Sequence, residues 1–255
     1  MPQLELTELE LAAVDLVEHT PAPGKHCARN AYRHLRKAWA LDGVDLEMAA
    51  FRGITAEEEA ATAIFHSLRR RKYRGTEKLN AWKHLQKNAV VPFCTAVAGV
   101  LAATEGTGIK SALYLDKSEN PWRFRVQIAV EHLVPGQKYA YPEPPLHFTI
   151  SKDNQPHDFS DKLDEIAKKK NLQSIKKYLD DRANMRNRLL YASQQGAPEV
   201  TSLGIFLTKQ RQSVFMLVVI YLMIDPYQKK QLFVQQAFQA FLKMLNLLPG
   251  DITFE

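Results

Sequence analysis

Two short segments of the chain share one pattern. Each begins with arginine and asparagine and ends, five positions after the arginine, with a histidine or tyrosine ring that can exchange a proton. The first segment runs from Arg29 to His34 and the second from Arg186 to Tyr191. Cleavage of RNA without a metal ion needs a group that takes the 2′-hydroxyl proton and a fixed cation that stabilises the pentavalent phosphate. Histidine and arginine supply both near neutral pH, so the segments are candidate catalytic sites of a metal-independent ribonuclease.

The two segments are not equivalent. An unperturbed phenol titrates near pH 10, so Tyr191 is a poor base and a site made of Arg186, Asn187 and Tyr191 is predicted to have weak or lost cleavage activity. The first segment has its histidine, but residues five apart lie roughly 140° apart around an ideal helix. We therefore expect Arg29 and His34 to form one site only through a helix bend or across a dimer.

The stretch 181–192 resembles the signature helix of HEPN-type proteins, whose motif is arginine, a polar residue, three variable residues and histidine. The stretch 51–93, with acidic residues 57–59 followed by His84 and Lys87, is loosely similar to the AbiV-like abortive-infection members of that superfamily. The resemblance implies a helical bundle, often dimeric, that acts on RNA in defence or stress systems. It also implies that arginine binds phosphate and histidine moves the proton.

Other charged residues are candidates for contacts with nucleic acid or for structural pairing. Glu58 falls on the apolar stripe of a predicted helix, where an unpaired carboxylate would cost several kcal/mol, so we expect it to have a cationic partner such as Arg186. The basic residues are open to a second interpretation, as a solvated helix end or a surface pair. The candidates for nucleic-acid binding are Arg182, Arg69, Arg70, Arg71, Arg74, His84 and Lys87.

Composition limits the other function classes. The 255 residues carry a formal net charge of +6, which favours an anionic partner such as RNA. Two cysteines outside any Cys-x-x-Cys pair and an acidic amino terminus without an export signal predict a cytoplasmic protein. The longest apolar run, 214–224, is shorter than the roughly 20 residues that cross a bilayer, so no membrane partner is expected. The histidines lack helical metal-ligand spacing, and we expect neither a metal site nor a cofactor.

The pattern of apolar residues predicts the elements that position these side chains. A Thr-x-x-Glu capping box at Thr7 starts a first helix, and helical periodicity then continues to about residue 103. Residues 122–130 alternate apolar and polar side chains, which is typical of a half-buried strand, and 111–116 and 146–150 are predicted to pair around it. Asp225-Pro226 is predicted to open the last helix.

The sequence therefore predicts a mostly α fold, a helical bundle with a small antiparallel β insertion at about residues 110–151. Its parts are a helical half (1–105), the insertion (106–158) and a second helical half (159–255). Three functions stay open: an RNA-binding protein with weak or lost ribonuclease activity, an active ribonuclease built on Arg29 and His34 in a homodimer, and a non-catalytic scaffold or regulator with a protein partner.

Overall fold

The computed structural model confirms a mostly helical fold with a small antiparallel sheet. It describes residues 3–104, 111–130, 136–147, 151–152, 155–156, 158–167, 169–190, 200 and 202–248. The helices are α1 (Glu8–Glu18), α2 (Gly24–Leu41), α3 (Leu46–Arg70), α4 (His84–Asn88), α5 (Val90–Thr104), α6 (Ser160–Asp164), α7 (Lys169–Leu190), α8 (Gly204–Ile224) and α9 (Leu232–Leu247). The strands are β1 (Ser111–Asp116), β2 (Arg123–Ala129), β3 (Tyr139–Ala140), β4 (Ser151–Lys152) and β5 (Gln155–Pro156).

Side-chain caps fix the first residues of two helices. At α1 the Thr7 hydroxyl accepts from the Glu10 amide, and the Glu10 carboxylate accepts from the Thr7 amide at 2.7 Å, which completes the predicted capping box. At α3 the Asp45 carboxylate accepts from the Met48 amide at 2.9 Å. The same local signals therefore set where α1 and α3 begin.

Helix α3 is the centre of the bundle. It packs against α2 and α8 over most of its length, and against α4 and α7 at fewer positions. Small residues such as Ala56, Ala60 and Ala63 are fully buried on α3 and allow its neighbours to approach closely. Helices from both sides of the β insertion contribute to one continuous cluster of buried apolar side chains.

Phe124 is the fully buried side chain of the sheet, and Leu115 and Val126 are partly buried against the same core. β1 and β2 pair antiparallel from Ser111 opposite Ile128 to Asp116 opposite Arg123, and β3 pairs with the other edge of β2. Phe124 on β2 is 1% exposed and meets Phe215 of α8 edge-on. The strand predicted at 146–150 is not the third strand: residues 139–140 take that place, 146–147 are not in a strand, and 148–150 lie outside the described residues.

The chain around Asp225 differs from the sequence-based prediction. Asp225 ends α8 instead of opening the last helix, and α9 begins at Leu232. The carboxylate of Asp225 pairs with Arg70 of α3 at 2.6 Å, so it is not available to cap a following helix. The prediction was wrong because the local pattern assigned the Asp225 side chain to a helix cap, whereas it pairs with Arg70, 155 residues away along the chain.

Helix α8 is longer than the apolar run that predicted it. Its 21 residues make it long and apolar enough to cross a membrane, judged by length and composition alone. Ten of them are buried in the bundle, among them Val214, Leu217, Val218 and Tyr221. The sequence predicted a buried helix for the run 214–224, and this burial is confirmed.

The start of α2 approaches α8 so closely that only glycine fits. A Cβ at Gly24 would lie 2.8 Å from the Tyr221 hydroxyl and 2.9 Å from its ring, and Tyr221 is fully buried. We expect Gly24→Ala to lower the free energy of unfolding by about 1–3 kcal/mol through overpacking. Gly204→Ala is the control, because a Cβ there meets open space, and its effect is expected to stay within about 0.5 kcal/mol. Urea denaturation measures both, and equal losses would contradict the packing argument.

Candidate functional site

A buried carboxylate on α3 collects a histidine, a lysine and an amide from α4. The Glu58 side chain is 6% exposed; His84 Nδ1 lies 2.9 and 2.8 Å from its two oxygens, and Lys87 Nζ lies 3.0 Å from Oε2. Asn88 Nδ2 donates to Oε1 at 3.3 Å. His84 and Lys87 lie one helical turn apart, which lets one short helix present both to the same carboxylate.

The electrostatics of this cluster keep Glu58 ionised. Burial alone would raise its pKa, but the hydrogen bond from His84 and the charge of Lys87 outweigh burial and hold the pKa below its usual range. An ionised carboxylate only accepts hydrogen bonds, so Nδ1 of His84 carries a proton and the lone pair of the neutral ring lies on Nε2. A carboxylate that orients an imidazole in this way is a recurring arrangement for proton transfer.

A cavity of about 330 Å³ between α2 and α3 lies beside this cluster. Lys87 connects the two, because its charge also acts on Cys27, which lines the cavity, and partly opposes the rise in the Cys27 pKa. Burial and the hydrogen-bonded Glu59 carboxylate raise the pKa of Cys27 to about 12, so the thiol is not a nucleophile near neutral pH. The cavity is lined by His26, Cys27, Arg29, Asn30, Arg33 and Glu59.

The Arg29 segment does not form one site within the chain. The Arg29 guanidinium pairs with Glu18 of α1, with Nη2 at 2.5 Å from the carboxylate. His34 Nδ1 instead accepts from Arg52 of α3 at 3.2 Å. Burial, followed by the charges of Arg52, Arg33 and Lys37, lowers the pKa of His34 to about 4. His34 is therefore neutral near pH 7, and its weak basicity does not favour a catalytic role.

The Arg186 segment lies on α7 and faces α3. Arg186 lies over the Phe51 ring, with its guanidinium carbon 5.8 Å from the ring centroid. It is not paired with Glu58, which takes its cations from α4, so the expected pairing of these two residues was wrong. Asn187 lies in the same helix, and Tyr191 lies outside the described residues.

One turn earlier on α7, Arg182 is a buried structural cation. Its Nη2 lies 3.0 Å from Glu57 of α3, whose side chain is 1% exposed, and the Tyr178 hydroxyl donates to the same carboxylate at 3.1 Å. With its amide nitrogen turned toward the acceptors, Gln210 of α8 donates to Glu57 at 3.1 Å. Burial raises the pKa of Glu57, and Arg182, Tyr178 and Gln210 oppose that shift. Three helices thus share one polar network inside the core.

The basic cluster at the end of α3 is largely engaged within the molecule. Arg69 donates to the carbonyls of Thr76 and Leu79 in the following turn. Arg70 pairs with the Asp225 carboxylate, and Arg71 donates to the Asp225 main-chain carbonyl at 2.6 Å through Nε. The main chain of Arg74 bonds to Gln235 and Gln239 of α9, while its side chain is exposed. The binding of nucleic acid by these residues stays a prediction.

The AbiV-like resemblance set the acidic run 57–59 beside His84 and Lys87, but the residue pattern gave Glu58 a partner on Arg186 and not these two side chains. Arg52 was not singled out, because a lone arginine on a long helix carries no local signal of its partner. The one usable signal was the acidic run 57–59, which crosses the apolar stripe and so must place at least one carboxylate inside. Within the parts of the chain that the structure describes, no group of three or more His, Cys, Asp or Glu side chains is placed to hold a metal ion.

The Glu57–Arg182 pair gives a stability prediction. We expect Arg182→Met to lower the free energy of unfolding by about 3–5 kcal/mol, since it leaves a buried carboxylate without its cation. The double variant Glu57→Met/Arg182→Met should recover most of that loss, because no buried charge is left. Arg186→Met, one turn further along α7, is the control and should cost less. Chemical denaturation measures all three, and equal costs for the two single arginine variants would contradict the assignment.

The low pKa of His34 gives a pH prediction. The folded protein releases the His34 proton at about pH 4, whereas an unfolded histidine titrates near 6.5. The contribution of His34 to stability is therefore complete above about pH 6.5 and falls as the pH decreases from there to about 4. We expect His34→Gln to lose stability less steeply over this range than the parent protein. The urea concentration at the midpoint of unfolding, measured as a function of pH, tests this. His26→Gln, at an exposed position of α2, is the control and should show the same pH dependence as the parent protein. The same pH dependence in His34→Gln would refute the assignment.

Comparison with known proteins identifies no relative of this chain. No protein-family model, no curated protein and no solved structure matches the chain. The resemblance to HEPN-type proteins thus rests on the short motifs in stretches 51–93 and 181–192.

Proposed function

We propose that the protein binds RNA and cleaves it slowly without a metal ion, at a site formed by Glu58, His84 and Lys87. The observation that carries this proposal is the buried Glu58 carboxylate, which accepts from His84 Nδ1 at 2.8 Å and binds Lys87 at 3.0 Å. Cation, base and orienting carboxylate occur together here within one chain.

His84 has the role of general base in this proposal. Glu58 holds the proton on Nδ1, which leaves Nε2 as the atom that takes the 2′-hydroxyl proton of RNA. The carboxylate also stabilises the imidazolium that forms, as an ionised partner does for any cation beside it. The proton then passes to the 5′-oxygen of the leaving nucleotide, and the products carry 2′,3′-cyclic phosphate and 5′-hydroxyl ends.

The neighbouring cavity provides the phosphate-binding group in this proposal. Arg33 lines it, is exposed, and has no acidic partner in the part of the chain that the structure describes. Arg29, at the same cavity, already shares its charge with Glu18. Arg33 is therefore the guanidinium at this cavity that is best suited to bind an RNA phosphate.

This proposal keeps the RNA chemistry implied by the HEPN resemblance but moves its centre. The support comes from α3 and α4, which lie in the AbiV-like stretch, and not from the Arg186 segment on α7. Since one chain supplies all three groups, cleavage does not require the homodimer that the Arg29 segment would need. A cytoplasmic location, where Cys27 and Cys94 stay reduced, fits an RNA substrate.

Cleavage of labelled single-stranded RNA in EDTA tests the proposal. We expect cyclic-phosphate ends from the parent protein and a loss of at least about 100-fold in rate for His84→Gln, because removing a general base typically costs that much. His66→Gln, a half-buried histidine of α3, is the matched control and should retain the parental rate. Absence of cleavage by the parent protein, or full cleavage by His84→Gln, would overturn the assignment.

Binding measured separately tests the role of the cavity. Fluorescence polarisation with a non-cleavable 2′-deoxy oligonucleotide should show weaker binding for Arg33→Gln than for Arg36→Gln, an exposed arginine of α2 that does not line the cavity. Both variants remove one positive charge, so a difference reports position and not net charge. Equal binding by the two variants would mean that the cavity does not hold the phosphate.

A further inference from the structure

A second cavity lies on another part of the molecule, where the β insertion meets the bundle. Its volume is about 310 Å³, and it lies between the end of α1, the end of α3, the turn before β2 and the end of α8. None of its lining residues belongs to the proposed catalytic cluster. The volume is at the lower end of the range for small-molecule sites.

The charge inside this cavity is unbalanced. Arg70, Arg71 and Arg123 line it, and Asp225 is the one carboxylate in the lining. Arg70 Nη2 pairs with the Asp225 carboxylate at 2.6 Å, and Arg123 pairs with Glu119, which does not line the cavity. Arg71 reaches only the main-chain carbonyl of Asp225.

Arg71 is therefore a partly buried cation that, among the described residues, has no ion pair of its own and shares the nearby Asp225 carboxylate with Arg70. Burial and the neighbouring charge of Arg70 lower the pKa of Arg71, and the Asp225 carboxylate opposes this shift without cancelling it. The hydrogen bonds of Arg70 and Arg71 run through Nε and Nη2, and Nη1 of each has no protein acceptor among residues that the structure describes. Two terminal guanidinium nitrogens in a concave site are suited to a phosphate group.

An aromatic ring completes the cavity. Trp122 lines it and is 42% exposed, although the period-two pattern of the sequence assigned it to the core. Lys117 Nζ lies 5.0 Å from the ring centroid, and the buried Phe124 forms part of the apolar wall. An exposed indole beside a phosphate-binding group is typical of sites where a nucleobase stacks.

We propose that this cavity binds a nucleoside monophosphate, with the phosphate on Arg70 and Arg71 and the base on the Trp122 ring. This proposal is independent of RNA cleavage at His84. It gives the β insertion a function, since the turn before β2 contributes the stacking ring and Arg123 adds positive charge at the edge of the site. The anionic phosphate of such a ligand matches Arg70 and Arg71, and its aromatic base matches Trp122; these are the two halves of the cavity lining.

Isothermal titration calorimetry with AMP, adenosine and inorganic phosphate tests the proposal on the full chain. We expect AMP to bind more tightly than either adenosine or phosphate, because only AMP engages both halves of the cavity. Arg71→Gln should weaken AMP and phosphate binding by at least about tenfold, while leaving the Arg70–Asp225 pair in place. Trp122→Ala should weaken AMP binding by about tenfold or more and leave phosphate binding unchanged.

Lys72→Gln is the matched control, since it removes one exposed positive charge next to Arg71 without touching the cavity lining. It should bind AMP as the parent protein does, and thermal unfolding should show that every variant is folded. Failure of AMP to bind, equal binding of AMP and adenosine, or an Arg71→Gln variant with parental affinity would overturn the proposal. Binding of a single-stranded oligonucleotide in the absence of AMP binding would also overturn it. None of these results depends on whether His84 cleaves RNA.

Discussion

Two consecutive carboxylates on the central helix α3 lie inside the bundle, and the arrangement of two other helices depends on them. Neighbouring helical residues are about 100° apart around the axis, so Glu57 and Glu58 point to different sides of α3. Glu57 meets Arg182 of α7, and Glu58 meets His84 and Lys87 of α4. An unpaired buried charge costs several kcal/mol. The two carboxylates of α3 can therefore be buried only when α4 and α7 pack against it and supply their cations.

This constraint explains why a cluster of polar side chains occurs at the edge of a helical core. Burial fixes the Glu58 carboxylate, and the compensating groups must come from a short helix that lies at the edge of the bundle, where His84 is 30% exposed. A side chain that compensates a buried charge while itself meeting solvent is held rigidly and can still reach a substrate. Structural pairing and proton transfer are therefore compatible at Glu58, because the carboxylate stays ionised in both roles.

Local signals in the sequence were sufficient for the elements but not for their partners. The capping box at Thr7 and the alternation that buries Phe124 act within a few residues, and both predictions were confirmed. Asp225-Pro226 has the same local character, yet the prediction failed because Arg70 of a distant helix binds the carboxylate. Glu58 shows the same limit at the candidate site. Its burial and its need for a cation follow from periodicity, whereas the choice of α4 over Arg186 depends on how the helices pack.

The positive charge of the chain is best interpreted through the same pairing. Three arginines that the sequence leaves open for anion binding or surface solvation are matched by acidic side chains within the molecule: Arg29 by Glu18, Arg70 by Asp225 and Arg182 by Glu57. A run of basic residues therefore does not by itself locate an anion site in this protein. A cation at a cavity without a carboxylate partner does, because binding an anion there removes an existing electrostatic cost. Arg33 and Arg71 have no ion pair among the described residues and line different cavities, which is why we propose RNA phosphate at one and a separate phosphorylated ligand at the other.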